Sequence, residues 1–372
     1  MQDERACLVA LSQVTHIGPV RLGRLREHFG SLDVAWRASE RELLTLLDER
    51  SGRGIIVARS RTDPDRIMEK IAASGVDVVT VLDDDFPYLL RQISGPPPVL
   101  FYRGTLPGRE EPTVAVVGTR RSTSYGREAT AQIAGELASA GVTVVSGLAK
   151  GIDGFAHRAA IDRGSRTLAV LASGVDIIYP PEHRQLAERV IEQGALISEY
   201  LPGTKPDAPS FPARNRIISG LSRATVVIEA PARSGALITA SFAGDQGRDV
   251  YAVPGSILSA GSAGSNKLLR DGATVLTSAA DLLEDLGLAS VTESEPATQT
   301  AFPMTDEERT IYALVTAEPQ HIDELAYSAS LTISQASALM TMLELKGLVA
   351  NAGAQHFVAT SMRPKSRSRP PA

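Results

Sequence analysis

Two patterns of apolar and polar positions divide the chain. Over residues 1 to about 75 apolar residues recur at helical spacing, as in LSQVTHIGPVRLGRLREHFGS, where the pattern breaks at Ile17-Gly18-Pro19 and stops at Gly30. From about Val76 to Gly287 short runs rich in Val and Ile alternate with helical stretches. The runs VDVVTVL, VAVVG, VTVVSG, TLAVLASG, ALISEY, ATVVIEA, DVYAVPG and ATVLTS predict eight strands. Continuously apolar strands separated by amphipathic helices predict a doubly wound, mostly parallel α/β sheet, covered on both faces, over residues 76–289.

The periodicity is lost in SVTESEPATQTAFP, residues 290–303, which reads as a linker. It resumes at residues 304–360. There Thr305 and Glu308 have capping-box spacing, three helices follow in turn, and LVANAGAQHFVA can form a hairpin. Three helices and a hairpin of this length predict a winged-helix domain. Its candidate recognition helix, TISQASALMTMLELK, carries no arginine and a single terminal Lys346. A protein contact or a structural role therefore stands beside major-groove reading. Residues 361–372, which include RPKSRSRPPA, read as a basic disordered tail.

Composition narrows the setting. With 372 residues, 43% of them hydrophobic, the chain can bury a large core in more than one domain. Its one cysteine, Cys7, excludes an intrachain disulfide, and the N-terminus has no basic region before its apolar run. No run of 18 apolar residues is present. A cytoplasmic protein without membrane segments is the expectation.

The net charge of −5 argues against a general nucleic-acid binder, yet the cations are not spread evenly. Gly118 to Arg127, GTRRSTSYGR, has three arginines and no acid, and Gly203 to Arg223 carries a net charge of +3. Both stretches follow predicted strands. In a doubly wound sheet, ligands bind at the carboxyl ends of the strands, so five strand-end loops are expected to converge on one surface. These follow VAVVG, VTVVSG, TLAVLASG, ALISEY and ATVVIEA.

In the first loop Gly118 permits a sharp turn that leaves helix amides for an anion, with Arg120 or Arg121 as a forked donor; a purely geometric glycine is the alternative. The fourth loop leads into SFPARNRIISG, Ser210 to Gly220. Phe211, held by Pro212, can present a ring for an unpaired base, and Arg214, Asn215 and Arg216 are expected to open a helix beside it. Alternatively, Phe211 is a core ring and the arginines pair with nearby acids. Ser234-Gly235 is another turn able to hold a phosphate or simply to start a helix. Asp153 and His157 share one helical face without a third ligand, so a cap and a packed histidine are expected in place of a metal site. No nucleophile, base and orienting group form a set, and GxGxxG, Walker and GxSxG motifs are lacking. A non-catalytic binder without cofactor is the expectation.

At these residues the sequence resembles the DNA processing protein A family (DprA/Smf). VAVVGTRRSTSYG, VVSGLAKGIDGFAH, GVDIIYPPEH, FPARNRIISGLS and EAPARSGALITA have the family's order and spacing. The helical front also resembles the helix-hairpin-helix (SAM-like) domain of longer members. That unit either grips a phosphate backbone or serves as a packing module. The resemblance implies an extended Rossmann-like domain that binds single-stranded DNA, usually as a homodimer. It also implies protection of incoming strands in natural transformation and loading of the recombinase RecA. Carried over, Arg120 grips phosphate, Phe211 stacks, and Arg214, Asn215 and Arg216 form the strand-binding triplet. Gly118, Ser146, Gly147, Ser234 and Gly235 then line the phosphate path. The family's lysine about three residues before the phenylalanine is replaced by Ala208, with Lys205 as the nearest candidate. The rival is a LOG-type nucleotide phosphoribohydrolase, but its PGGxGTxxE glutamate has no counterpart in EAPARSGALITASFAG.

Overall fold

The computed structural model describes residues 3–288, 304–316, 319–346, 348–353 and 355–359. The expected linker at 290–303 and tail at 361–372 lie outside the described residues. The chain divides into two units, Met1–Glu293 and Ser294–Ala372.

The first unit is built on a nine-stranded sheet. Its strands are β1 (Asp77–Thr80), β2 (Val99–Gly104), β3 (Thr113–Val117), β4 (Thr143–Ser146), β5 (Thr167–Val170), β6 (Ala195–Ser198), β7 (Ala224–Val227), β8 (Asp249–Ala252) and β9 (Thr274–Val275). The spatial order is β1-β2-β6-β5-β4-β3-β7-β8-β9. β2 runs antiparallel to both β1 and β6, and every other pairing is parallel. All eight expected strands are present. The ninth, β2, follows Pro96-Pro97-Pro98 and was not anticipated, because a proline cluster signals a loop. Pairing with β1 and β6 decides its conformation instead.

Side chains alternate between the two faces of the sheet. On β3, Ala115 and Val117 pack with Ile217, Ile218 and Ala236 of the helices Ser210–Gly220 and Gly235–Asp245. Val114 and Val116 point the other way, to Ile133, Leu137 and Ala156 of Ser124–Ser139 and Ile152–Asp162. The reversal of the chain between β3 and β7, which lie side by side, sets the carboxyl ends of β3, β4 and β7 around one depression.

Six helices between Glu4 and Ala73 form the N-terminal all-helical region. Glu4–Ser12 is buried along most of its length, and Pro19–Phe29 follows the Gly18 turn and ends at Gly30, whose φ is +80°. Leu8, Leu25 and Trp36 share a core with Phe101 of β2 and Leu196 of β6. The region therefore supplies the cover over that end of the sheet.

The second unit is a winged helix. Its helices are Asp306–Tyr312, Ile322–Ser328 and Ile333–Leu345, followed by β11 (Val349–Gly353) and β12 (His356–Ala359), with β10 (Gln320–His321) completing the sheet. The Thr305–Glu308 capping box is formed. Ala336, Met340 and Leu343 of the third helix face Ile311, Ile322 and Leu325.

Candidate functional site

A groove of about 580 Å³ opens at the carboxyl ends of β3, β4 and β7. Its lining includes Gly118, Arg120 and Arg121 from the first loop, Ala149 and Asp153 from the second, Phe211 and Asn215 from the fourth, and Arg233, Ser234 and Gly235 from the fifth. Four of the five expected loops thus line it. The third, after β5, reaches its edge by setting Tyr179 against Phe211, ring centroids 5.6 Å apart.

The floor is fixed by close backbone approaches. A Cβ on Gly118 would stand 2.5 Å from Ile152 Cγ1 and 2.9 Å from the Glu229 carbonyl oxygen, so only glycine fits between β7 and the helix Ile152–Asp162. The turn after Gly118 spends its amides within the chain. Thr119 N–H donates to the Glu229 carbonyl at 2.7 Å, Arg121 N–H to Thr119 Oγ1 at 3.2 Å, and Thr123 N–H to Glu229 Oε2 at 2.9 Å. Thr123 Oγ1 accepts from Gly126 N–H. The sequence expectation of free amides for an anion fails at these four positions; the guanidiniums of Arg120 and Arg121, both exposed, remain as the anion-seeking groups.

Arg120 lies over Phe211, its Cζ 5.1 Å from the ring centroid. Phe211 is partly exposed at the groove. Ser210 starts the helix, and Asp207 Oδ1 accepts its N–H at 3.0 Å, so an acid occupies that helix start. Pro212 falls in the first turn, where its missing N–H costs nothing.

The Arg214-Asn215-Arg216 triplet therefore sits a full turn into the helix, not at its mouth, and its members diverge. Successive helical residues are rotated by about 100°, which sends the three side chains to different neighbours. Arg214 is 4% exposed. It donates to Gly147 O at 2.9 Å, to Val170 O and to Asn215 Oδ1 at 3.3 Å. Burial pulls its pKa down to about 10, with the Asp153 carboxylate opposing that shift. Asn215 lines the groove and donates to Gly235 O at 3.2 Å. Arg216 turns to the far side, pairing with Glu199 and donating to Gly95 O at 3.2 Å. Burial raises the Glu199 pKa, with Arg216 opposing. The reading of the triplet as one basic surface is corrected accordingly: Arg214 braces loops and Arg216 neutralises an acid.

Ser146 and Gly147 lie under the groove and outside its lining. Ser146 Oγ donates to Val116 O at 2.7 Å, and Gly147 links Arg214 to Asp153, whose Oδ2 accepts the Gly147 N–H at 3.1 Å. Asp153 also accepts the Ala149 N–H, and burial raises its pKa. His157 is buried against Thr167. Thr167 Oγ1 donates to Val144 O, so His157 Nδ1 is the donor in their 2.7 Å bond. Burial pushes the imidazole pKa down to about 3. Ser234 lines the groove while its Oγ caps its own helix through Ala236 N–H, and Gly235 beside it is exposed. Lys205 is exposed on the loop after β6 and does not line the groove. Sequence reasoning passed over Arg233 and Tyr179; their signal was membership of the PARSGALITA and GVDIIYPPEH strand-end loops.

Comparison with known proteins agrees with this architecture. The family model for DNA recombination-mediator protein A matches residues 77–287, and that for the DprA winged helix domain matches residues 295–354. The Smf protein of Synechocystis is 38% identical over 388 residues, covering 93% of this chain and 96% of its own. A DprA assigned to Mycobacterium tuberculosis is 37% identical over 356 residues, covering 91% of this chain and 90% of its own. The crystal structure of DprA from Streptococcus pneumoniae superposes with a TM-score of 0.67 at 33% identity, over 77% of this chain and 98% of that one. DprA from Helicobacter pylori, solved for its single-stranded DNA binding mode, gives a TM-score of 0.51 at 28% identity over 57% and 95%. With a Rossmann-like sheet, a winged helix and matches along nearly its whole length, the chain belongs to the DNA processing protein A (DprA/Smf) family.

Proposed function

We propose that the groove at the carboxyl ends of β3, β4 and β7 binds single-stranded DNA without catalysis. The observation that carries this reading is Arg120 held over the partly exposed Phe211 in an open groove with Arg121 and Arg233 beside it. A ring offers every base a stacking face and the guanidiniums meet phosphates, so binding has little sequence preference. The Helicobacter pylori relative described for single-stranded DNA binding supports it. Within the groove, Gly118, Asn215, Ser234 and Gly235 form the path, with Ser146, Gly147 and Arg214 as its support.

Family membership supports a finer reading of the role. The protein protects incoming strands and loads the RecA recombinase during natural transformation, acting in the cytoplasm as a homodimer. Residues 76–289 form the DNA-binding domain, flanked by the helical domain 1–75 and the winged helix 304–360. Among the described residues no helix is long and apolar enough to cross a membrane.

A phosphoribohydrolase would need a carboxylate free to reach a sugar in the groove, and among the described residues the only carboxylate in its lining is Asp153. Glu229 is buried with its Oε2 on Thr123 N–H, and Asp153 holds two loop amides. The test is fluorescence anisotropy with labelled oligo-dT and a duplex of equal length across a salt series. Salt-sensitive binding that prefers the single strand and weakens in Arg120→Ala is expected. Equal binding of both, together with release of free base from nucleoside monophosphates, would replace this reading with the hydrolase.

A further inference from the structure

Tyr179 stands outside the groove's lining, yet its ring meets Phe211 at 5.6 Å with the planes inclined by 59°. It is 46% exposed, a large ring left in water next to another. Its loop is tied down on several sides. Ser173 Oγ donates to Ile177 O at 2.7 Å, Gly203 N–H to the Asp176 carboxylate at 2.9 Å, and His183 Nδ1 to Leu148 O at 2.9 Å. Lys150 pairs with Glu182 just beyond. The loop that carries the ring is thus held before any ligand arrives, which lowers the ordering cost of binding.

From this geometry we propose that Tyr179 is a second stacking platform, so that consecutive bases of one strand rest on Phe211 and then on Tyr179. The proposal rests on the single-stranded DNA reading of the groove. It gives the strand a direction of exit. Gly174 N–H donates to Thr204 O at 2.9 Å, which joins the Tyr179 loop to the segment carrying Lys205. On this proposal Lys205, exposed on that segment, is the expected contact for the phosphate that follows the second base. Two rings in succession suit a flexible single strand, whose bases are free to unstack from one another, and do not suit a duplex.

The experiment compares the full-length protein with Tyr179→Ala, Tyr179→Phe and Phe211→Ala on oligo-dT and on an abasic deoxyribose-phosphate chain of equal length. Loss of one stacking partner weakens binding about 5- to 150-fold. Tyr179→Ala is expected to lose affinity in that range for oligo-dT and to match the unaltered protein on the abasic chain. Tyr179→Phe, which keeps the ring, is expected to bind as the unaltered protein does. Equal loss on both chains would make Tyr179 a mere support for the groove and overturn the proposal. So would normal binding by Tyr179→Ala while Phe211→Ala is impaired, leaving the groove reading intact. No binding by the unaltered protein overturns both readings.

Discussion

The guanidinium of Arg120 covers the ring of Phe211 at 5.1 Å, so the two groups assigned to phosphate and base hold each other in the free protein. An exposed cation–π contact is worth about 0.5 to 1 kcal/mol. A stacked base returns about 1 to 3 kcal/mol, so on the proposed reading a strand is expected to displace the guanidinium from the ring and give it a phosphate instead. Phe211→Ala is expected to weaken oligo-dT binding by about that stacking energy at all salt concentrations. Arg120→Ala is expected to reduce the steepness of log K against log salt by about 0.7, the value for one single-strand phosphate contact. An unchanged slope in the anisotropy titration would remove Arg120 from the phosphate path.

Arg214 is expected to act on stability before it acts on binding. Arg214→Met leaves the carbonyls of Gly147 and Val170 without the guanidinium that donates to them, and the buried Asp153 with Arg120 alone of the two cations that oppose its burial. Losing hydrogen bonds from a buried charged donor costs about 1.5 to 3 kcal/mol. Urea unfolding read by circular dichroism measures it, and a change under 1 kcal/mol on the same scale would show that the site is solvated.

Arg216 carries a pH signature. Burial raises the Glu199 pKa and Arg216 holds it back. A folded pKa above the unfolded one contributes stability that is complete below the ordinary glutamate range and lost as pH rises through the folded value. Arg216→Ala raises that folded value further. Its destabilisation is therefore expected to be small at pH 5 and larger at pH 8, as urea midpoints at the two pH values would reveal; a pH-independent loss would contradict the pairing.

In the winged helix the sign is opposite. Lys346 Nζ lies 2.7 Å from both oxygens of Glu308, and Thr305 N–H donates to Oε2 at 2.7 Å. The hydrogen bonds and positive charge of Lys346 lower the Glu308 pKa. The stability this carboxylate contributes is present above the unfolded glutamate pKa and lost as pH falls through the lower folded value. Acid titration followed by amide NMR of Asp306–Tyr312 is expected to show a midpoint that moves to higher pH in Lys346→Met. An unmoved midpoint would mean that the ion pair does not hold this domain.

The site was legible as a place before it was legible as a geometry. Strand-end loops had to gather at one edge, and arginines concentrated in two of them marked which edge groups seek anions. What the residues do there depended on neighbours far away in sequence. Glu229 claims amides of the Gly118 turn across more than a hundred residues, and Asp207 takes the helix start that a phosphate could have used.

Local chemistry determined the elements whose cause is local. Eight apolar runs became strands, Thr305 and Glu308 closed their capping box, and Gly30 ended its helix at positive φ, because hydrophobic periodicity and caps act within a few residues. Tertiary structure alone decided β2, which is a strand because β1 and β6 supply its hydrogen bonds. It also decided the fates of Arg120, Arg214 and Arg216. A guanidinium has the same charge wherever it falls in a sequence; whether it faces solvent, a buried carbonyl or a carboxylate is set by the loops that the sheet brings around it.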